Sequence, residues 1–515
     1  MGSVSSLPLT YILLIIGFGL YFFVKPCQRF VEAILVKIEK LSNRKVILLL
    51  GLLTFIVGIL AINTGNGWGD DSSQYVSQTK ALLTGTIPRW MELNEYTIAH
   101  TKFGYAPVVY PWGLPLLLAP LYQLFGIHFY AFKIFELICF SLSTMVLYHL
   151  FLRKLPKRIA FVAILFFAFN YNYIHEIDDV YADIPAMLFC FVALDLIDSY
   201  RYQKTGWLPA VGIGCAILAA VLLRTASLAL LIALFVGDVV YYLKKEKMNW
   251  IILCLPYVMV VGGYLLMGVL LPSSGSEYGS FFQLDGSLIL SNIKQYYLYF
   301  GQMLGDVVSN YPDHRITFYL LTGLFLFFMV VGQVKHLKEE IVCNVYLCVS
   351  LLVLLIFYGI SIRYVFPIFA IGLLFVSYAY MDMQENFHSL SKRVFHAIVV
   401  GVLTILMACD GVYILTTKLG MRRINYAYTK EAMEVYEVIR NTVKEEENVF
   451  FFKPRALLLQ ADVHTFGHDE KDSWKEADYL LIASEDPKKV EISDYAKENG
   501  YQELLSNDAF TFYRK

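Results

Sequence analysis

The chain has 515 residues, of which 57% are hydrophobic and only 17% are charged. Soluble proteins of this length are far less apolar, and a net charge of −1 gives no sign of a nucleic-acid partner. The composition therefore predicts a mainly α, polytopic membrane protein whose partners include the lipid bilayer.

Apolar runs predict about twelve membrane-spanning helices, because a helix needs about 20 apolar residues to cross a bilayer. The first run, at 9–25, has no basic segment before it and no small-residue cleavage site. We interpret it as an additional retained span rather than a cleaved signal. The predicted spans lie at 9–25, 45–63, 130–152, 158–174, 184–200, 208–223, 226–242, 250–271, 314–334, 341–360, 364–380 and 395–416.

The short loops set the predicted orientation, because lysine and arginine are enriched on the cytoplasmic side. The basic clusters at 25–45 and 153–158 are therefore predicted to be cytoplasmic. The apolar run 111–125 is short and contains three prolines, and counting it as a span would place the second cluster outside. We interpret it as an interfacial or re-entrant helix on the outer side. The outer side then carries loops 64–129, 175–183 and 272–313, the turns at 224–225 and 361–363, and the carboxyl terminus.

The composition changes near residue 425. The segment 428–446 is charged, with its apolar residues at helical spacing. Three short apolar runs are predicted strands: 449–452, 479–483 and 510–513. We therefore predict a transmembrane domain at 1–424, with the large first outer loop 64–129, followed by a small extracytoplasmic α/β domain at 425–515.

Two adjacent carboxylates, Asp70 and Asp71, follow the apolar run 46–62. Such a pair is costly at a low-dielectric boundary, since the charges repel and one acid must hold a proton or need a cation. Tyr75, four residues after Asp71, lies on the same face of a predicted amphipathic helix. Helix capping explains one aspartate but not two in succession. The pair is therefore a candidate general base or cation site.

A second outer loop, 172–185, is dense in ionisable residues: His175, Glu176, Asp178, Asp179 and Asp183. Asp183 stands directly before an Ile-Pro pair at the start of the next predicted helix, where capping is again the alternative. It is also a candidate to face Asp71. His175, like His314 in a later loop, is a weaker candidate for a ligand or an acid–base group.

Cationic residues on the outer side form a third group. Arg224 lies between two apolar runs, Arg363 precedes a predicted span, and Lys102 lies in the first outer loop. A lone outer arginine is most often an anchor to lipid phosphate. A guanidinium also suits a substrate phosphate, because its fork donates two parallel hydrogen bonds. Both interpretations stay open at this point.

Taken together, these motifs resemble the GT-C superfamily of glycosyltransferases. More narrowly, they resemble the family of protein O-mannosyltransferases and lipid A aminoarabinose transferases. The resemblance covers about residues 45–416 and rests on the order and spacing of four motifs: Asp71-Ser72-Ser73-Gln74-Tyr75, Tyr110-Pro111-Trp112-Gly113-Leu114-Pro115, Asp183-Ile184-Pro185 and Arg363-Tyr364-Val365-Phe366-Pro367. The tail is similar to the small extracytoplasmic domains of such bacterial enzymes, where segments like Lys453-Pro454-Arg455-Ala456-Leu457 occur.

The chain also departs from the family pattern. The family often has Asp-Glu at the first motif, whereas here Ser72 follows Asp71 and the extra acid, Asp70, precedes it. This leaves open which of the two aspartates is the base. The aminoarabinose transferases carry Lys-Pro-Pro in the first loop, whereas this chain has Tyr-Pro-Trp at 110–112, so its donor contacts and substrates are expected to differ.

The resemblance implies an enzyme of the plasma (inner) membrane that works on the extracytoplasmic face. A sugar is delivered on a polyprenyl monophosphate, and a hydroxyl of a lipid, glycan or protein acceptor attacks it with inversion. Asp71, or Asp70, is the implied base. The donor phosphate would be bound by Arg363, Arg224 and Lys102. The acceptor or a cation would be positioned by Asp183, Asp179, His175 and Glu176. The lipid and sugar groove would be lined by Tyr75, Tyr110, Trp112 and Tyr364. The sequence requires no cofactor, and a divalent cation at Asp71 and Asp183 is left open.

Two other functions compete with this interpretation. A transporter or flippase of lipid-linked sugars would place charged residues along a path near the middle of the membrane. The polar residues here are instead predicted to cluster on one side, which favours an enzyme. A non-catalytic membrane scaffold that binds a partner through its tail is the second rival, and the paired acidic loops argue against it.

Overall fold

A computed structural model of the chain describes residues 25–101, 107–201, 206–243, 249–273, 279, 281–305, 315–386, 389–418, 426–468 and 472–515. The additional predicted span at 9–25, apart from its last residue, lies outside these residues. Lys102 and His314 also lie outside them, so their predicted roles stay predictions.

The larger part of the molecule is a helical bundle. Its helices are α1 Lys25–Lys40, α2 Asn43–Ala61, α3 Asp70–Thr84, α4 Ile87–Thr101, α5 Gly113–Phe125, α6 Phe129–Leu152, α7 Lys157–Ala168, α8 Tyr171–Glu176, α9 Asp183–Leu196, α10 Trp207–Leu223, α11 Ala229–Leu243, α12 Trp250–Leu270, α13 Gly286–Leu304, α14 Arg315–Lys335, α15 Ile341–Ile356, α16 Phe366–Asn386 and α17 Ser389–Tyr413. Short 3-10 turns, Thr225–Leu228 and Ile362–Val365, lead into α11 and α16.

Six helical segments of the described residues are long and apolar enough to cross a membrane. They are Asn43–Ala61, Phe129–Leu152, Thr225–Leu243, Trp250–Leu270, Phe318–Lys335 and Ile362–Asn386. The prediction of a mainly α, polytopic membrane protein is thereby confirmed, while the number of twelve spans stays a prediction. The segment predicted to be interfacial forms α5, whose 13 residues rise about 20 Å and fall short of a bilayer core of about 30 Å.

Several helices were missed in the sequence, and α13 is among the longest of them. The region 272–313 was predicted as a loop, but it contains the 19-residue helix α13. Its polar residues lower the apolar signal, although one of them is structural: Asn292 is fully buried and donates to the carbonyls of Leu354 and Phe357. The side chain of Asp285 caps the helix by accepting from the amide of Leu288.

The carboxyl-terminal region forms a five-stranded mixed sheet in the order β2-β1-β3-β5-β4, with β1 parallel to β2 and β3, and β5 antiparallel to β3 and β4. Three strands match the predicted runs, and two were missed. The strands are β1 Asn448–Phe450, β2 His464–Phe466, β3 Tyr479–Ala483, β4 Gln502–Ser506 and β5 Phe510–Arg514, and the helices are α18 Lys430–Thr442, α19 Pro454–Ala461 and α20 Lys489–Glu498.

This α/β region packs on the helices of the first long loop. Lys80 of α3 pairs with Asp462 at 2.5 Å, and the indole of Trp68 donates to Glu485 at 2.7 Å. The amide of Gly467 donates to the Thr101 hydroxyl at 2.9 Å. Helix α19 therefore packs against α3. The amino-terminal ends of the two helices lie close together.

Candidate active site

The site begins where α3 begins. Gly69, which has no side chain to accept a hydrogen bond, is the capping residue of α3. The carboxylate of Asp71 is used elsewhere: its Oδ1 accepts from the Tyr110 hydroxyl at 2.7 Å, and its Oδ2 accepts from Arg363 at 3.1 Å. Its side chain is still 33% exposed. Asp71 is therefore a fixed carboxylate with an open face, rather than a helix cap.

Two cations lie beside Asp71, and they govern its ionisation. Burial raises the pKa of Asp71, but the charge of Arg363, the hydrogen bond from Tyr110 and the charge of Arg455 together hold it below the usual value. Asp71 is therefore ionised at neutral pH. An ionised carboxylate can accept a proton, which a base requires.

Arg363 links the acidic loops. It stands in the 3-10 turn before α16, where its Nε donates to the Ser361 hydroxyl at 3.2 Å. Besides Asp71, its guanidinium lies 3.7 Å from Asp183 and 3.7 Å from Glu176. Arg363 therefore lies in contact with the predicted acids of both outer loops, so that three separate segments of the chain contribute to one cluster.

The guanidinium of Arg363 also lies over the ring of Tyr181, 4.1 Å from its centroid. Tyr181 was not named as a site residue in the sequence, because nothing in the motif 172–185 distinguishes it from the other tyrosines there. This is a cation–π contact, made in addition to the contacts of the guanidinium nitrogens with the carboxylates.

Arg224 forms the second half of the cluster. Its backbone is extended at φ −145°, which ends α10, and its side chain forms a hydrogen-bonded ion pair with Asp183. Its guanidinium lies 4.7 Å from the ring centroid of Tyr364. Asp183 is the first residue of α9 and is almost fully buried, so the prediction that it starts this helix agrees with the structure.

Glu176, at the end of α8, is another buried acid of the loop. Burial raises its pKa well above the usual value, the Arg363 charge opposes this, and the charges of Asp183 and Asp179 add to it. Its pKa therefore moves in the opposite direction to that of Asp71. Of the acids in the cluster, Asp71 is the better candidate for a base at neutral pH.

A cavity of about 1010 Å³, its open mouth included, adjoins the cluster. Its polar wall is formed by Asp183, Arg224 and Arg363, with Tyr75 and Tyr364 beside them. The rest is largely apolar, with Met187, Val353, Leu354 and Ile368. The cavity therefore combines a place for an anion with a place for an apolar chain.

A second cavity of about 950 Å³ lies on the other side of Pro111, Thr225 and Phe282, which line both. Trp112 lines this second cavity and donates its indole N–H to the carbonyl of Pro272 at 2.6 Å. Tyr110 lines it as well, and its ring contacts Tyr75 at a centroid distance of 4.9 Å.

The other predicted site residues interact with neighbours other than Asp71 and Arg363, or have side chains that the structure does not describe. His175 stacks on Tyr171, with ring centroids 5.6 Å apart. Asp179 is half-buried and acts on Glu176 and Tyr181 through its charge. Asp70 begins α3, but its side chain lies outside what the structure describes.

The same residues bear on the divalent cation that the sequence left open at Asp71 and Asp183. Within the described ranges, no group of three or more histidine, cysteine or acidic side chains is placed to hold a metal ion. Arg363 lies between Asp71 and Asp183, so a positive charge already occupies the position of a bridging cation. The divalent cation that the sequence left open at Asp71 and Asp183 stays a prediction.

A buried ion pair supports the acidic loop and was missed in the sequence. Lys133 and Asp178 are fully buried and lie 3.0 Å apart. Asp178 also accepts from the backbone and side-chain amides of Asn63. The available signal was a lysine inside the apolar run 130–152, since charges in such segments are rare and usually paired.

Arg455 is a third residue, after Tyr181 and Lys133, that the sequence did not assign. It is 3% exposed, its Nη1 donates to the Tyr110 hydroxyl at 3.1 Å, and the same atom lies 3.8 Å from Asp71. The segment 453–457 had been noted only for its resemblance. The contact of Arg455 with Asp71 depends on how the C-terminal domain packs on α3. A local sequence pattern does not predict such packing.

No family model and no curated protein matches the chain. Solved structures do. The chain is similar to ArnT from Cupriavidus metallidurans bound to undecaprenyl phosphate, with a TM-score of 0.56 and 10% identity over 91% of this chain and 97% of that one. It is also similar to the oligosaccharyltransferase from Archaeoglobus fulgidus in its apo form, with a TM-score of 0.52 and 12% identity over 86% of this chain and 70% of that one.

A structure of the archaeal oligosaccharyltransferase AglB from Archaeoglobus fulgidus, in complex with an inhibitory peptide and a dolichol-phosphate, matches with a TM-score of 0.50 and 12% identity. The match covers 93% of this chain and 74% of the AglB chain. ArnT and AglB are GT-C glycosyltransferases. The structure of this chain is therefore the GT-C membrane fold predicted from its motifs.

Proposed function

We propose that this chain, which has the GT-C fold, is an integral-membrane glycosyltransferase that moves a sugar from a polyprenyl-monophosphate donor to an acceptor hydroxyl. The observation that carries the proposal is a cavity with an apolar wall that is lined by Arg224 and Arg363, with Asp71 bound to Arg363 beside it. The similar structures support it, since ArnT has been seen with undecaprenyl phosphate and AglB with a dolichol-phosphate.

The donor phosphate binds at the arginine wall of the first cavity. The buried Nε of Arg224 has no hydrogen-bond partner among the described residues, so it can donate to a phosphate oxygen. The isoprenoid chain lies along the apolar lining, beside Val353 and Leu354. As the bond between sugar and phosphate breaks, Arg224 and Arg363 stabilise the charge that collects on the phosphate.

The acceptor approaches from the side of Asp71. The Asp71 carboxylate takes the proton of the acceptor hydroxyl while that oxygen attacks the anomeric carbon and the phosphate leaves on the opposite face. One base and one stabilised leaving group complete the reaction in a single displacement, so the configuration inverts. Asp71 is preferred to Asp70 because both its oxygens are oriented, by Tyr110 and Arg363.

The remaining acids hold the arginines in place. Asp183 pairs with Arg224 and lies near Arg363, while Glu176 lies near Arg363 from the other side. Without them, like charges would separate the two guanidinium groups. Transfer proceeds without a divalent cation, since Arg363 carries the charge that a metal would supply.

The active site and the domain 425–515 face the extracytoplasmic side of the plasma membrane, and the acceptor is a lipid, glycan or protein hydroxyl presented there. This orientation follows from the basic clusters at 25–45 and 153–158. A transporter of lipid-linked sugars is less well supported, because Asp71, Asp183, Arg224 and Arg363 gather at one place rather than along a path.

The decisive experiment is transfer in proteoliposomes from a panel of polyprenyl-phosphate sugars to membrane and glycan acceptors. Wild-type protein is expected to transfer one of these sugars, with and without EDTA. Asp71→Asn is the negative control, since it keeps the side-chain shape but removes the base. Loss of transfer on chelation, reversed by adding a metal, would contradict the metal-free mechanism. Movement of donor lipid across the bilayer without transfer would favour the transporter.

A further inference from the structure

The C-terminal domain reaches the catalytic carboxylate through one side chain. Arg455 stands in the first turn of α19, directly after Pro454. Its guanidinium is buried between the two parts of the molecule, with Nη1 at 3.1 Å from the hydroxyl oxygen of Tyr110 and 3.8 Å from Oδ1 of Asp71. Guanidinium groups stay charged at all relevant pH values, so this domain supplies a permanent cation to the site.

The position of Arg455 is fixed by the packing of α19 on α3. Lys80 donates to the carbonyl of Leu459 at 3.3 Å and pairs with Asp462 at the end of the same helix. Helix α19 is buried along its whole length. The arginine therefore takes its place only when the domain is docked.

We propose that Arg455 is a positioning residue of the transfer site, which acts through the Tyr110 hydroxyl to orient Asp71 and keep it as a carboxylate. The proposal rests on the proposed function for its catalytic consequence, but its structural content is independent of the substrate. It makes the C-terminal domain part of the active site rather than an appended module.

The hydrogen bonds give this action a direction. The hydroxyl of Tyr110 has one proton, which it donates to Asp71, and its oxygen accepts from Arg455. A hydroxyl that accepts from a cation donates more strongly, so the two bonds reinforce each other. Burial raises the pKa of Tyr110 well above the usual value, the charge of Arg455 opposes this, and Tyr110 keeps the proton that it donates.

Among the residues that the structure describes, four groups face Asp71 from the elements around it. Arg363 comes from the turn before α16, Tyr110 from the segment before α5, Arg455 from α19, and Tyr181 from the loop before α9. Two of them are cations. Removing Arg455 leaves one cation and an unsupported Tyr110, so the carboxyl becomes easier to protonate.

The test compares Arg455→Gln, Arg455→Lys and the control Arg440→Gln in the full-length protein. Arg440 lies in the same domain and contacts the other end of α19, where it donates to the carbonyl of Gln460. In Arg455→Gln, we expect kcat at neutral pH to fall roughly tenfold, a part of the about 100- to 10,000-fold effect of a general base. The acid limb of the kcat profile should also move to higher pH, so that the loss grows as the pH falls below neutral, with little change in the donor KM.

Arg455→Lys keeps the charge and should leave the acid limb nearer that of wild type, while Arg440→Gln should not move it. A loss of equal size at every pH would show a purely structural role and overturn the proposal. Tyr110→Phe provides a second route, because it breaks the same link without unpairing a buried charge. It must shift the limb in the same direction, and an unmoved limb would also overturn the proposal.

A measurement without substrate separates this proposal from the proposed function. With 3-fluorotyrosine placed at position 110, the ¹⁹F signal reports the ionisation of the neighbouring Asp71. The titration midpoint should rise in Arg455→Gln and stay unchanged in Arg440→Gln, whichever donor the enzyme uses. If wild-type protein transfers no sugar, the proposed function fails, and the ¹⁹F midpoint still decides: a midpoint that Arg455→Gln leaves in place overturns the positioning role.

Discussion

Asp71 and Arg363 form an ion pair across 292 residues of sequence, with 3.1 Å between the carboxylate Oδ2 and the guanidinium Nη2. The same guanidinium lies 3.7 Å from Asp183 and 3.7 Å from Glu176. One cation therefore joins the first outer loop to the second acidic loop. Asp71, the proposed base, and the arginines proposed to bind phosphate form a single electrostatic unit, in which a change at one member affects the others.

We predict that Asp71→Asn lowers kcat by about 100- to 10,000-fold, the usual contribution of a general base. The amide keeps the size of the side chain and still accepts from Tyr110, so folding should be preserved. Transfer assays on purified protein in liposomes measure the effect. Asp70→Asn is the discriminating partner: a larger loss there than in Asp71→Asn would assign the base to Asp70.

The pH dependence of the wild type follows from the direction of the Asp71 pKa. Since Arg363, Tyr110 and Arg455 hold this pKa below the usual carboxyl value, the ionised base persists as the pH falls below neutral. Activity should decline only as the pH drops through the lowered pKa, and so should the stability that the ionised form contributes. A kcat profile that falls already near neutral pH would contradict this.

Arg363→Lys should reduce kcat/KM by about 100-fold, the effect of removing one donor that stabilises transition-state charge. Lysine keeps the charge, but it lacks the fork that contacts Asp71, Asp183 and Glu176 together. Arg158→Lys is the matched control, because Arg158 is an exposed arginine that pairs only with the exposed Glu39 among the described residues. Equal activity of Arg363→Lys and wild type would remove Arg363 from the mechanism.

Much of the site could be predicted because the enrichment of lysine and arginine in cytoplasmic loops assigns each loop to one side of the membrane. Asp71, Asp183, Arg224 and Arg363 were all predicted on the outer side, and a compact bundle leaves them little room to lie apart. The contact of Arg455 could not be predicted, since it depends on the docking of two domains. Helix α13 was missed because polar residues such as Asn292 lower its apolar signal and are typical of loops. In the fold, the buried Asn292 side chain donates to backbone carbonyls.

The close contact of α14 with α16 predicts a packing effect. A Cβ at Gly332 would lie 2.0 Å from the carbonyl oxygen of Phe375, and backbone cannot move away cheaply. Gly332→Ala should therefore destabilise the protein by about 1–3 kcal/mol, the usual cost of overpacking. Gly262→Ala in α12 is the control, because a Cβ there meets nothing within 4 Å among the described residues. Thermal unfolding in detergent should separate the two variants, and equal melting temperatures would contradict the predicted clash.

The buried pair of Lys133 and Asp178 supports the second acidic loop, and its removal should have a large and non-additive effect. Lys133→Met leaves Asp178 charged and fully buried, which should cost about 3–5 kcal/mol of unfolding free energy. Asp178→Asn should cost a similar amount because it removes the carboxylate that lies 3.0 Å from the buried ammonium.

In the double variant Lys133→Met with Asp178→Asn, no unpaired charge is left, so the loss should be smaller than the sum of the two single losses. Denaturant unfolding of the four proteins in detergent gives the coupling free energy. Arg158→Met serves as the control, since it breaks an exposed ion pair with Glu39 and should change stability little. Additive losses would show that Lys133 and Asp178 contribute to stability independently of each other. The ion pair would then not stabilise the loop that carries Glu176 and Asp183.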